Sequence, residues 1–209
     1  MALPRVQPIV PIARKEPFDD PAWQFELKYD GFRALCYLEP RRNRFISRTG
    51  NILSQFDELA DQVASDIVGF DEVVLDGEVI APDECGRPVF LDLLKRARRP
   101  AYVAFDLLWL SGTDFRSWPL RHRQQALEGI LKMGSRVISP LVSVHARGRQ
   151  LFELIIEHDL EGIVAKRLAD PNDRDTKWLK IKNKAYSQQE GRGDLFNARH
   201  SQKSPPRAF

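Results

Sequence analysis

The sequence predicts a mixed α/β domain over about residues 21–185, flanked by two polar segments. Three observations lead there. Runs such as EVVLDGEVIAP and AYVAFDLLWL are short, apolar and rich in β-formers, as strands are, whereas ILSQFDELADQVASDIVGF repeats its apolar residues every three or four positions, as helices do. The two kinds of run interleave, with short connections between them. At 209 residues, 43% hydrophobic and 29% charged, the chain is long enough to bury a sizeable core and ordinary in composition for a globular protein.

Taken in order, residues 1–20 (MALPRVQPIVPIARKEPFDD) are proline-rich, mixed in charge, and expected as an extended arm. FELKYD and FRALCYLE read as a strand pair turning at Asp30 and Gly31, and RRNRFISRTG continues as turn and strand. The spacing of Phe56, Leu59, Val63 and Ile67 predicts a helix with Ser54 as its N-cap. EVVLDGEVIAP and AYVAFDLLWL are expected as buried strands, separated by a short basic helix, LDLLKRARR. Pro119 can open a helix through PLRHRQQALEGILKM, since proline is tolerated in the first turn. GRQLFELIIEH is a further helix, and EGIVAKRL and KWLKIKN are expected as closing strands joined through DPNDRD. Residues 186–209 form a polar, basic tail with little to pack, its end expected to be disordered.

The net charge of +3 permits nucleic-acid binding without requiring it. Cys36 and Cys85 are far apart and form no CxxC pair, which argues against a zinc site or a disulfide framework. The N-terminus is too broken by proline for a signal peptide, and no apolar run approaches membrane-spanning length. A cytoplasmic location, with no membrane partner, is the default expectation.

Two stretches hold the chemistry. In FELKYD, Glu26, Lys28 and Asp30 share one face of an extended chain and Phe25, Leu27 and Tyr29 the other. Such a face is either solvated or the wall of a pocket. In KWLKIK, Trp178, Lys180 and Lys182 share a face, with the two lysines about 6.6 Å apart along a strand. Like charges so placed make a solvated edge, or they hold an anion such as a polyphosphate between them. A lysine can also be a nucleophile when neighbouring cations and desolvation favour its neutral amine. Glu78 and Glu161, beside buried-looking strands, are either solvated or ligands for a hard cation.

KYDG at 28–31, SRTG at 47–50, LDGEV at 75–79, FDLLWL at 105–110, EGIVAKR at 161–167 and WLKIK at 178–182 together resemble, in order, the motif series of ATP-dependent DNA ligases. They are most similar to bacterial ligases of end-joining repair. The resemblance implies a nucleotidyltransferase (ATP-grasp-like) fold, two antiparallel sheets with flanking helices around a nucleotide cleft. It implies that Lys28 attacks the α-phosphate of ATP and holds AMP as a phosphoramidate. Glu26 would read the adenine edge, and Arg33 and Arg48 would contact ribose or the phosphate of the nicked strand. Phe105 would stack on one face of the adenine, and Val164 would pack on the other; from pattern alone Phe105 reads as core. Glu78 and Glu161 would serve ribose or a magnesium or manganese ion, and Lys180 and Lys182 would grip the α-phosphate.

The resemblance also implies a partner, nicked double-stranded DNA, and a role in repair or recombination. Members of the family follow the last lysine strand with an OB-fold, for which the 27 residues after Lys182 are too few. The grip on DNA is then expected from Arg41, Arg42 and Arg44, from Lys95, Arg96, Arg98 and Arg99, from the tail, or from a partner that supplies an OB-fold or other end-joining functions. Each arginine cluster reads equally well as a solvated face. Two other functions fit the same motifs: an RNA-end ligase, and a non-catalytic subunit of a repair complex.

Overall fold

A computed structural model of the chain describes residues 3–189; the polar tail beyond them lies outside the described residues. Eleven strands among these residues build two sheets. The strands are β1 (Ile12–Ala13), β2 (Asp19–Leu27), β3 (Phe32–Leu38), β4 (Arg44–Ser47), β5 (Val73–Ile80), β6 (Ala101–Leu110), β7 (Thr113–Asp114), β8 (Ile138–Pro140), β9 (Ser143–Arg147), β10 (Gly162–Arg167) and β11 (Leu179–Lys182). One sheet runs β1-β11-β10-β2-β9, the other β4-β3-β5-β6-β7 with β8 beside β6. Pairing is antiparallel except at β1 with β11 and β6 with β8. The helices are α1 (Asp57–Ser65), α2 (Phe90–Lys95), α3 (Leu120–Ile130) and α4 (Gly148–Glu157).

Side-chain alternation explains the layers. In the first sheet Phe25, Ile163, Ala165 and Ile181 turn outward and pack on Leu151 and Ile155 of α4. In the second, Ala34, Cys36, Leu75 and Tyr102 pack on Leu59 and Val63 of α1 and on Leu127 and Ile130 of α3. The opposite parity of both sheets carries Glu26, Val164, Lys180, Arg33, Glu78 and Phe105, and a cleft lies between them.

Several expectations are corrected. The strand pair around Asp30 and Gly31 is not a hairpin: β2 and β3 belong to different sheets, and Lys28 to Gly31 is the crossing. A Cβ on Gly31 would lie 2.1 Å from the Val79 carbonyl oxygen, so the crossing runs against the backbone of β5. Ser54 begins a 3-10 turn rather than capping a helix; α1 starts at Asp57 with no side-chain cap, and Asp57 and Glu58 supply negative charge to its first turn. The basic helix ends at Lys95, because Arg96 takes a left-handed conformation (φ 55°). Pro119 stands just before α3 rather than inside it. Strands β8 and β9 were not expected.

The segment expected as an arm is packed against the domain. Leu3 and Val6 cover Leu35, Tyr37, Val74 and Leu108, Ile9 packs on Phe105 and Trp178, and β1 extends the first sheet.

A buried polar cluster ties the two sheets together. Arg123 of α3 makes a two-pronged pair with Asp106 of β6 (2.7 and 2.9 Å), both residues fully buried. Asn172, in the loop between β10 and β11, donates to the same carboxylate at 2.8 Å, and Arg123 also donates to the carbonyl of Asp170. No helix among the described residues is long and apolar enough to cross a membrane.

Candidate active site

Lys28 follows the last residue of β2, and its backbone N–H continues the ladder by donating to Gly162 O at 2.9 Å. That bond sets the side chain at the seam between the sheets. Its ammonium donates to Glu161 Oε2 at 2.6 Å, and the ammonium of Lys182 is 3.4 Å from the other oxygen of the same carboxylate. One glutamate thus stands between the two lysines.

Lys28 lines a cleft of about 520 Å³. Of the residues expected at a nucleotide site, Glu26, Arg33, Arg48, Glu78, Phe105, Val164 and Lys180 line it too. Lys182 does not: its side chain is 50% exposed and reaches the site through Glu161. Arg48 is presented by the tight SRTG turn, in which Gly50 N–H donates to Ser47 O. The carboxylate of Asp30, 1% exposed, accepts from the hydroxyl of Tyr186 at 3.0 Å.

Glu26 lies at the cleft floor, 2% exposed. Its Oε1 accepts from Gln24 (2.7 Å) and Gln124 (3.0 Å), and its Oε2 faces the ammonium of Lys166 at 2.6 Å. Burial pushes the Glu26 carboxyl up, and Lys166 opposes that. Arg33 is clamped by two hydrogen bonds to Asp76, which is fully buried, and is therefore a fixed part of the wall. The Phe105 ring has the Lys166 ammonium 4.4 Å and the Arg33 guanidinium carbon 4.7 Å from its centroid, so two cations compete with any purine for its faces. Trp178, edge-on to Phe105, shares both cations.

Lys166 and Ile9 escaped the sequence reading, which put Trp178 on the face of Lys180 but gave it no role. Lys166 had a usable signal: it shares strand parity with Val164, which was expected in the cleft. Ile9 had none, because its segment read as an arm.

Burial pushes the Glu78 carboxyl up to about 7, with Lys28 and Arg33 opposing and Glu161 adding to the rise. No group of three or more His, Cys, Asp or Glu residues converges among the described residues. Glu78 lines the cleft and Glu161 pairs with Lys28, so these are the two carboxylates beside Lys28 that could hold a hard cation.

The arginine clusters are not brought to the cleft. Arg41 and Arg42 lie in the turn between β3 and β4, at the opposite end of that hairpin from Arg48. Arg44 is paired with Glu39 and sits over Tyr37, and Arg98 is paired with Asp92 at 2.8 Å. Lys95, Arg96 and Arg99 lie at and beyond the end of α2.

Residues 10–182 match the family model described as ATP dependent DNA ligase domain. The chain belongs to this family. Its similarity to a DNA ligase-like protein, the SPbeta prophage-derived LigB of Bacillus subtilis, is 32% identity over 193 residues, 88% of this chain and 69% of that protein. Against the multifunctional non-homologous end joining protein LigD of Mycolicibacterium smegmatis it is 33% identical over 177 residues, which is 80% of this chain but 22% of that protein. A solved mycobacterial DNA ligase D complexed with ATP and MES superposes with a TM-score of 0.72 at 27% identity, covering 84% of this chain and 60% of that one. The two sheets described above are thus the nucleotidyltransferase fold of DNA ligases. The family match begins at Val10, so of the cleft-lining pair Ile9 and Val10, which precede β1, only Val10 falls within it.

Proposed function

We propose that this ligase domain adenylates itself on Lys28 and passes the AMP to the 5′-phosphate at a nick in duplex DNA. The 3′-hydroxyl then attacks, AMP leaves and the strand is sealed. The observation that carries this reading is Lys28 at the seam of the two sheets, lining a cleft with Arg48, Glu78 and Lys180 and paired at 2.6 Å with Glu161. In the first step the neutral amine attacks the α-phosphorus, the bond to pyrophosphate breaks, and the ammonium proton passes to solvent. Lys180 and Lys182 offset charge that grows on the α-phosphate. Glu26 takes the base edge, Val164 one face of the ring, and Arg33, Phe105 and Trp178 the wall beside it. Magnesium, held by Glu78 and Glu161, would neutralise charge on the phosphates.

The names of the LigD relatives support a place in end-joining repair, alongside other repair proteins. Of the two clusters, Arg41, Arg42, Lys95, Arg96 and Arg99 are exposed and open to DNA phosphates away from the cleft. Arg44 and Arg98 would first have to leave their acidic partners.

Intact-mass measurement after incubation with ATP and magnesium, with GTP and NAD in parallel, tests the first step. An AMP adduct from ATP that Lys28→Ala abolishes is expected. A folded, unadenylated protein that forms none, or a Lys28→Ala protein that still does, overturns the reading. Sealing of nicked DNA against nicked RNA duplexes tests the substrate.

A further inference from the structure

Lys166 is the most buried cation of the cleft and has the least conventional surroundings. It lies on β10 with its side chain 1% exposed. Its ammonium is 2.6 Å from Glu26 Oε2, 4.0 Å from the Trp178 ring centroid and 4.4 Å from that of Phe105. The ammonium is thus a buried cation held by the Glu26 carboxylate and by two rings. Burying an ammonium is costly unless a counter-charge is in contact with it, and here that counter-charge is Glu26.

What depends on the ammonium is the chemical state of Glu26. An ionised carboxylate is purely an acceptor with about four lone-pair sites, whereas a protonated one is also a donor. Gln24 and Gln124 each give Glu26 Oε1 an N–H, and Lys166 faces Oε2, which leaves acceptor capacity toward the cleft. An acceptor at that place suits a purine carrying an amino group at C6. It repels one carrying a carbonyl oxygen there, because two acceptors would then meet.

We propose that Lys166 sets the nucleotide specificity of this site: it holds Glu26 as an acceptor-only group, so the cleft takes a 6-amino purine and rejects a 6-oxo purine. The inference rests on the placement of Glu26 at the base edge under the proposed function.

The other groups around Glu26 do not supply this effect. On β2 Gln24 is neutral, and in the crossing after it Tyr29 is a phenol whose pKa is raised, chiefly by burial. From β9 come Ser143 and, opposite Gln24, His145, whose ring is hydrogen-bonded to the Pro21 carbonyl. Asp106 on β6 disfavours the carboxylate, and Arg123 pairs with it; Arg33 is already clamped by Asp76. Lys166 is the cation in direct contact. Burial raises the Glu26 carboxyl, so without Lys166 the acid form gains ground at neutral pH and the carboxylate returns as pH rises.

The test uses the full chain, with AMP or IMP adducts from ATP and inosine triphosphate read by intact mass from about pH 6 to 9. The wild type should prefer ATP by about a hundredfold or more, as expected of a site built around one hydrogen bond. Lys166→Met should narrow the ratio to about tenfold or less at neutral pH and regain ATP uptake as pH rises, while Lys166→Arg should restore the ratio. Glu26→Gln, which cannot ionise, should show a narrowed ratio at every pH, and it serves if Lys166→Met does not fold.

A Lys166→Met protein that melts as the wild type does and keeps its ratio and pH profile overturns the proposal. So does a Glu26→Gln protein that keeps the preference. Equal adducts from both nucleotides in the wild type remove this inference alone. No adduct from either removes the adenylation reading, and this inference with it.

Discussion

The hydroxyl of Tyr186 donates to Asp30 Oδ2 at 3.0 Å, joining residues 156 positions apart in the chain. Asp30 belongs to the crossing that carries Lys28, and Tyr186 follows the last lysine strand. The segment after Lys182 therefore folds back onto the loop that carries Lys28. Ser187 strengthens the return through its backbone N–H to Asp159 Oδ1 (2.9 Å), and Gln188 donates to the carbonyl of Pro88 at 3.2 Å.

Tyr186→Phe removes the donor to a buried carboxylate without changing shape. We expect a loss of about 2 kcal/mol, or about 4–8 °C in Tm for a domain of this size. Adenylation of Lys28 should slow as well. Thermal unfolding and the rate of adduct formation measure the two effects.

Glu78 gives a pH signature. Its folded pKa of about 7 lies above the ordinary 4.5, so its contribution to stability is complete below about pH 4.5 and is lost as pH rises through 7. The full difference is about 3 kcal/mol. In a chelating buffer, Glu78→Gln should be more stable than the wild type at about pH 8 and nearly equal to it at about pH 5. Magnesium with ATP should raise the wild-type Tm more at the higher pH, because the cation favours the ionised carboxylate.

The Arg123–Asp106 pair predicts a non-additive result. Arg123→Met leaves a buried carboxylate with only Asn172, and we expect a cost of about 3–5 kcal/mol. Arg123→Met combined with Asp106→Leu should recover most of that loss, since neither charge is then stranded. Denaturant titration of the two singles and the double completes the cycle.

Gly31 and Gly50 separate close approach from backbone strain. Alanine at Gly31 would put its Cβ 2.1 Å from the Val79 carbonyl, and the crossing must shift. Gly50 has φ +86° with open space around it, so alanine there costs only about 1 kcal/mol of strain. Gly31→Ala should lose adenylation together with stability, whereas Gly50→Ala should keep its activity.

Local patterns made much of the fold legible. The parity of Glu26 and Lys28 against Phe25 and Leu27, and of Trp178 and Lys180 against Leu179 and Ile181, marked the faces that meet across the cleft. Pairing was not legible. FELKYD and FRALCYLE look like a hairpin because the sequence records the turn between them, while β2 finds β9 and β10 far along the chain. The Glu161 bridge between Lys28 and Lys182 was also invisible, since it joins residues from three separate segments. Nothing in the composition of AYSQQ distinguishes Tyr186 from a tail residue; its partner at position 30 does.

Trp178 is 2% exposed, with an ammonium 4.0 Å and a guanidinium 5.2 Å from its ring centre. Charges so close to an indole shift its electronic transitions as well as its packing energy. Any nucleotide that rearranges those charges must therefore change the near-ultraviolet spectrum of this one side chain. A difference spectrum against a Trp178→Phe protein separates that signal from those of Trp23, Trp109 and Trp118, and so turns one buried indole into a gauge of occupancy.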